Sequence, residues 1–177
     1  AGKGVMPVHS LEEAEKAIDT ILTRKEFGAA GSRIVIEDFL RGEEASFIAF
    51  TDGKTILPMP STQDHKAIYD GDKGPNTGGM GAYSPAPVIT EKLARRIMDE
   101  VMTPVVKGMA AEGSPFKGIL YAGMMIDGDA IRVLEFNARS GDPETQPIMM
   151  RMKSDIIPVL EAIADGTLDS AAVTWDE

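Results

Sequence analysis

GILYAGMMIDGDAIRVLEFNAR, Gly118 to Arg139, is the stretch on which the fold turns. Two apolar runs, Gly118 to Asp127 and Ala130 to Phe136, flank Asp127-Gly128-Asp129, a turn sequence suited to a tight hairpin. Upstream, Ala45 to Thr51 and Thr55 to Met59 flank Thr51-Asp-Gly-Lys54 in the same way. Arg33 to Phe39 is predicted as a further strand. Strands joined mainly by hairpins predict an α+β fold with an antiparallel sheet. Three helices are expected around it. The first runs from Ser10 to Phe27, with capping-box spacing between Ser10 and Glu13 and a stripe of Leu11, Ala14, Ile18, Ile21 and Leu22. The second follows Thr90 as N-cap, carries Leu93, Ile97, Val101 and Val105, and is kinked or divided by Pro104. The third spans 155–165, capped by Ser154, with Pro158 in its first turn and Gly166 as its stop. Residues 60–89 are rich in glycine and proline, have no period, and are predicted as a long functional loop.

Composition narrows the function. A hydrophobic share of 43% beside 26% charged residues is that of a globular chain with a real core. Twenty-eight acidic residues against 18 basic ones give a formal net charge of −10, which disfavours nucleic acid and anionic membranes as partners. With no cysteine, disulfides, thiolate metal sites and cysteine nucleophiles are excluded. No apolar run is long enough for a membrane span, and the expected location is the cytoplasm. The chain opens on AGKGV without methionine and closes on TWDE, which is expected of a piece cut from a longer protein.

Four stretches could carry chemistry. In LEFNARSGDPETQP, Leu134 to Pro147, Glu135 and Asn137 are two apart and share a strand face, while Phe136 points the other way, toward a core. A carboxylate beside an amide oxygen is a hard donor pair of the kind Mg²⁺ accepts while keeping waters or phosphates. Arg139 continues the spacing, and its planar fork suits a phosphate or carboxylate. The same spacing also fits an exposed strand end with a salt bridge. In AGKGV, Lys3 and Gly4 could approach phosphate oxygens, or simply form a turn. In VIEDFLRGEEAS, 35–46, Glu37 and Glu44 could accept from an amino group and a ribose hydroxyl, or be solvated acids on a strand pair. In QDHKAIYDGDKGPNTGGMGAYSP, 63–85, Lys66 leads into a loop of small residues able to wrap a ligand closely. His65 is expected to serve loop structure, His9 to sit on the surface, and Met80, Met124, Met125, Met149 and Met150 to fill the core. Taken in order, these stretches describe a metal–nucleotide site between two lobes.

QDHK, GPNTGGMGAYSPAP, LYAGMMID, LEFN and GDPETQPIMMRMKSD together resemble the ATP-grasp core of the phosphoribosylamine–glycine ligase family, over essentially the whole chain. The resemblance implies two lobes with antiparallel sheets and packed helices, residues 1–59 forming a small lobe cut at its start and 60–177 a large lobe. It implies an ATP-dependent ligase that joins glycine to 5-phosphoribosylamine through glycyl phosphate, in purine biosynthesis. ATP and Mg²⁺ or Mn²⁺ are the implied cofactors, and N- and C-terminal domains of the parent chain the implied partners. Residue by residue, Glu135 and Asn137 fall on metal ligands. Lys3 and Gly4 fall in the phosphate loop. Glu37, Phe39 and Leu40 fall on the adenine segment, and Glu44 on the ribose-contacting acid. Lys66 and Arg139 fall on groups beside the transferred phosphate and the acyl phosphate. Asn76, Thr77, Gly78, Gly79 and Asp142 fall on the substrate side. Ala67, Ala138 and Ser140 depart from the family pattern, which usually has arginine after Asp-His-Lys and an aromatic before Gly-Asp-Pro-Glu. They leave open a non-catalytic nucleotide-binding module, and glycine's lack of a side chain leaves open another carboxylate substrate. The 177 residues by themselves are expected to show little or no ligase activity.

Overall fold

The computed structural model describes residues 4–71 and 73–176. The chain divides between Leu40 and Arg41 into two units.

In the first unit, α1 (Leu11–Ile18) continues into one wider helical turn over Asp19–Thr23. The Ser10 hydroxyl accepts from the Glu13 amide at 3.2 Å, and the Glu13 carboxylate accepts from the His9 amide at 2.7 Å. The cap therefore closes as expected at its first bond, but its return bond goes to His9, one residue earlier than in the standard box. The helix stops short of the expected Phe27, because Lys25 turns the chain with a φ of 54°. The stripe is not buried: no α1 residue is, and Leu11 keeps 77% of its surface. The strand expected over 33–39 is not formed. Residues 34–40 run without pairing. A strand needs a neighbouring edge for its amides, and every strand among the described residues lies in the second unit.

The second unit is built on β1 (Glu43–Thr51), β2 (Ile56–Pro58), β7 (Gly118–Asp127) and β8 (Ala130–Asn137), in the order β2-β1-β7-β8, all antiparallel. Both predicted hairpins are present. Alternation then sorts the side chains of β1 and β7 onto two faces. Ala45, Phe47, Ala49, Leu120, Ala122 and Met124 pack on α2 (Glu91–Ile97), the wider turn Met98–Met102 and α3 (Thr103–Ala111) through Leu93, Ile97, Val101, Met102 and Val106. Ile48, Phe50 and Tyr121 pack on α4 (Thr145–Arg151) and α5 (Ile157–Asp165) through Ile148, Val159 and Ile163. Burying one such large aliphatic or aromatic side chain is worth about 1.5–3 kcal/mol. Because β1 pairs with β7 along its whole length, residues 43–58 belong with the large unit, and the boundary expected at 59/60 falls inside it.

Several elements depart from expectation. The segment 60–89 is not one open loop but two nested ribbons. Outer strands β3 (Gln63–Asp64) and β6 (Ala82–Tyr83) enclose β4 (Ala67–Tyr69) and β5 (Lys73–Asn76). Strands this short carry no readable alternation. Pro104 does not divide the second helix: Ile97, Met98, Met102 and Thr103 all keep right-handed helical backbone, so 91–111 runs on without a break, with one wider turn over Met98–Met102 just ahead of the proline. Helix α4 was not foreseen; it rises from the polar Gly-Asp-Pro-Glu run and buries Ile148. Helix α5 begins at Ile157, with Asp155 rather than Ser154 accepting its first amide at 2.9 Å, while Ser154 accepts from Thr174. Gly166 ends it at a φ of 76°, the left-handed cap expected. Met124 is buried, but Met80 and Met150 are exposed. Phe136 is 41% exposed rather than in a core, because β8 is the edge of the sheet and its residues remain largely uncovered. No helix among the described residues is long and apolar enough to cross a membrane.

The β1–β2 turn is tied to the end of the unit by one carboxylate. Asp52 accepts from the Lys54 and Thr55 amides at 3.0 and 2.7 Å and from the Leu168 amide at 3.1 Å. Burial works to raise its pKa, but these three donors outweigh it and hold the carboxyl below its ordinary value. A depressed folded pKa contributes stability above the unfolded value near 3.8, and that contribution is lost as pH falls through the folded value. Asp52→Ala is expected to destabilise the chain by about 2–4 kcal/mol at pH 7. Urea unfolding of both proteins should show the gap narrowing below about pH 4.

Candidate functional site

The α4–α5 face of the sheet becomes polar at one end, and the cause is visible in the pairing register. Ser46, Gly123 and Glu135 stand in one row across β1, β7 and β8; Ile48, Tyr121 and Asn137 stand in the next. Between Val133, opposite Met124, and Glu135, opposite Gly123, the extra residue Leu134 makes a bulge. Such bulges re-aim the residues beyond them. A Cβ at Gly123 would stand 3.3 Å from both the Glu135 Cγ and the Tyr121 ring, so a glycine leaves room for both side chains.

Glu135 and Asn137 are together, as their spacing predicts: the Asn137 Nδ2 donates to the Glu135 Oε1 at 2.9 Å. Arg139 donates from Nη1 to the Ser140 carbonyl at 2.8 Å and stands 3.5 Å from the Asn137 Oδ1 through Nη2. Among the described residues no three acidic or histidine side chains converge as a self-sufficient metal cage. One carboxylate and one amide oxygen fit a hard divalent cation that draws its remaining ligands from water or phosphate.

Lys66 comes to the same region from the 60–89 segment. Its Nζ donates to the Glu44 Oε2 at 2.6 Å, so two residues with separate expected roles form one half-buried ion pair. Burial opposes the lysine's charge, but the Glu44 hydrogen bond and the Glu44, Asp64 and Glu135 charges outweigh it and raise its pKa. Lys66 is therefore a fixed cation at neutral pH. The small-residue loop folds back onto it. The Thr77 amide and hydroxyl both donate to the Lys66 carbonyl, at 2.7 and 2.9 Å, and the Gly79 amide donates to the Thr77 hydroxyl at 3.1 Å. Asn76 pairs with Ala67 in the inner ribbon, and Gly78 is exposed. Gly79 has a φ of 133°, and a Cβ there would meet Pro143 at 2.5 Å, so only glycine lets the loop close on the Gly-Asp-Pro turn. Asp142 is exposed and accepts from the Gln146 Nε2 at 3.3 Å.

The remaining expected residues belong to the first unit. Glu37 is exposed on the unpaired segment, the Phe39 ring lies 4.9 Å from that of His9, Leu40 is half-buried, and Gly4 faces the Phe27 ring. Lys3 lies outside the described residues.

Two features were not anticipated. Ser46, Tyr121 and Glu144, all buried, form a closed triangle: both hydroxyls contact the Glu144 Oε1, at 2.8 and 2.9 Å, and each other at 2.9 Å. The one signal in the sequence is a serine at an inward position of the apolar run ASFIAF. The second is Asp64, whose Oδ1 is buried without a hydrogen-bond partner. Burial, then the Glu144 charge, raise its pKa to about 6, with Glu44 adding to the rise while Lys66 and His65 oppose it. A carboxyl raised from 3.8 to about 6 stabilises the fold fully below 3.8 and loses that contribution as pH climbs through 6. Asp64→Asn is therefore expected to raise stability at pH 8 by about 1–2 kcal/mol and to confer little near pH 4. Paired thermal scans at the two pH values check it.

Known proteins share this arrangement of sequence and fold. The family model for the phosphoribosylglycinamide synthetase ATP-grasp (A) domain matches residues 1–145. The phosphoribosylamine–glycine ligase of Vibrio vulnificus (strain YJ016) is 59% identical over 177 residues, covering 99% of this chain and 41% of that protein. That of Salmonella typhimurium (strain LT2) is 58% identical, covering 100% and 42%. The chain thus spans about two fifths of the length of these relatives. The crystal structure of the Thermotoga maritima phosphoribosylamine–glycine ligase superposes with a TM-score of 0.77 at 30% identity, over 93% of this chain and 42% of that one. A biotin carboxylase from Campylobacter jejuni shares the fold, with a TM-score of 0.71 at 16% identity, over 99% of this chain and 38% of that one. The α+β, ATP-grasp expectation is borne out, and the chain belongs to the phosphoribosylglycinamide synthetase ATP-grasp (A) domain family.

Proposed function

We propose that this chain is the ATP-binding core of a ligase that joins glycine to 5-phosphoribosylamine, giving glycinamide ribonucleotide, ADP and phosphate in the cytoplasmic synthesis of purines. The observation that carries the reading is the gathering of Glu44, Lys66, Glu135, Asn137 and Arg139 within one unit of a chain whose relatives are named for that reaction. The glycine carboxylate attacks the terminal phosphorus of ATP in line, and the bond to ADP breaks. The amine of phosphoribosylamine then attacks the acyl carbon of glycyl phosphate; the carbon–oxygen bond to phosphate breaks, and the nitrogen gives up a proton.

The first step brings two anions together, so the protein's part is to neutralise charge and hold geometry. Lys66 offers its ammonium to the transferred phosphoryl oxygens. Arg139 steadies the acyl phosphate or the substrate carboxylate with its planar fork. Glu44 orients Lys66 through one oxygen and accepts from a ribose hydroxyl with the other. Glu135 and Asn137 hold a divalent cation, Mg²⁺ or Mn²⁺, which supplies positive charge on the phosphates when bound. Lys3 and Gly4 cover the phosphates; Glu37, Phe39 and Leu40 meet the adenine, the last two through backbone groups. Asn76, Thr77, Gly78, Gly79 and Asp142 face the substrates. The N- and C-terminal domains of the parent chain complete the active site, and the 177 residues alone turn over little or nothing.

Lys66→Ala and Arg139→Ala, made in the full-length parent chain, are each expected to lower kcat by about 10²–10³. Near-normal turnover in either variant removes its assigned role. Phosphate release from Mg–ATP, with glycine and phosphoribosylamine omitted in turn, tests the reaction itself. Release that requires both substrates is the expected result. Nucleotide binding without release means that the chain has kept its nucleotide and lost its chemistry.

A further inference from the structure

Glu144 is an expensive residue for a purely structural purpose. Its side chain is 2% exposed, and its Oε1 is met by two neutral hydroxyls, not by a cation. Burying a carboxylate that way costs free energy that an apolar residue of similar volume does not. Its charge also bears on Asp64, itself buried in part and short of a partner. What the carboxylate provides is directional, because a hydrogen-bonded anchor fixes position in a way that apolar contact does not.

What it anchors is the turn between β8 and α4. A Cβ at Gly141 would lie 2.3 Å from the Glu144 Oε2 and 2.6 Å from its Cδ, so the backbone crosses directly over the carboxylate. The Thr145 amide and hydroxyl both donate to the Gly141 carbonyl, the amide at 3.1 Å, which locks the turn from its other side. One residue earlier, the Ser140 carbonyl accepts from Arg139, whose other terminal nitrogen faces Asn137. A mechanical line therefore runs from the sheet floor to the guanidinium. Ser46 on β1 and Tyr121 on β7 hold Glu144; Glu144 seats Gly141; Ser140 orients Arg139. The Tyr121 hydroxyl can serve as a permanent donor, since burial above all, with the Glu144 charge, pushes its pKa well above the ordinary phenol value.

We propose that Ser46, Tyr121 and Glu144 act together as a positioning clamp that sets the Arg139 guanidinium beside Asn137 for the chemical step. The proposal rests on the ligase reading above. It assigns to three buried residues, none in contact with substrate, control over a group that is.

The test is a double-mutant cycle in the full-length parent chain, following phosphate release with all substrates saturating. Tyr121→Phe removes one hydroxyl and little volume. Its expected effect is a fall in kcat of about 10- to 100-fold, the size associated with misplacing a catalytic group by about an ångström. The KM for ATP is expected to change less than twofold. In an Arg139→Ala background the same substitution is expected to change kcat less than threefold, because the group it positions is gone. Ser46→Ala, run in parallel, carries the same test if Tyr121→Phe fails to fold. Glu144→Gln keeps an acceptor oxygen and is expected to retain more activity than Glu144→Ala. Full kcat in folded Tyr121→Phe and Ser46→Ala, or losses that multiply independently with Arg139→Ala, overturn the clamp. A parent enzyme that releases no phosphate overturns the ligase reading instead, so the two failures are distinct.

Discussion

The nine-residue antiparallel pairing of β1 with β7 is the constraint on which the rest of the second unit depends. Side chains on paired strands alternate between faces with a period of two, so a slip of one residue would exchange the faces entirely. In the register observed, Ala45, Phe47 and Ala49 meet α2 and α3, while Glu44, Ser46, Ile48 and Phe50 look the other way. That second face is apolar where it meets α5 and polar where it meets the β8–α4 turn. The site stands where one face changes character.

Charge is unevenly spread across this face. Glu44, Asp64 and Glu135 all act on Lys66, and Glu144 acts on Asp64. Such an excess of carboxylate adds to the cost of holding any one of them ionised, as at Asp64, where burial acts first and the Glu144 charge second. An apolar groove of about 500 Å³ does exist in this unit, lined in part by Phe47, Met59, Ala94 and Met98, but none of the site residues faces it.

The first unit illustrates the limit of local pattern. Its helix cap formed at Ser10, because a cap is decided by atoms a few residues apart. Its apolar stripe found only partial cover, and its extended segment over 34–40 no partner strand, among the described residues. Periodicity says which face of an element seeks burial, not what it meets. The exposure of Phe136 on edge strand β8 has the same origin.

The sequence by itself determined what depends on short range. Both main hairpins, the Thr90 cap and the Gly166 stop could be derived from turn and capping chemistry, and the side-by-side Glu135 and Asn137 from strand spacing. Family resemblance carried the ATP-grasp fold beyond what spacing alone supports. Only the tertiary structure decided the Lys66–Glu44 ion pair, the bulge at Leu134, the helix rising from Gly-Asp-Pro-Glu, and the Ser46–Tyr121–Glu144 triangle, whose members are as much as 98 positions apart. The physical reason is that a hydrogen bond depends on atoms brought within about 3 Å, and across such separations that approach is set by strand register, not by neighbours in the chain.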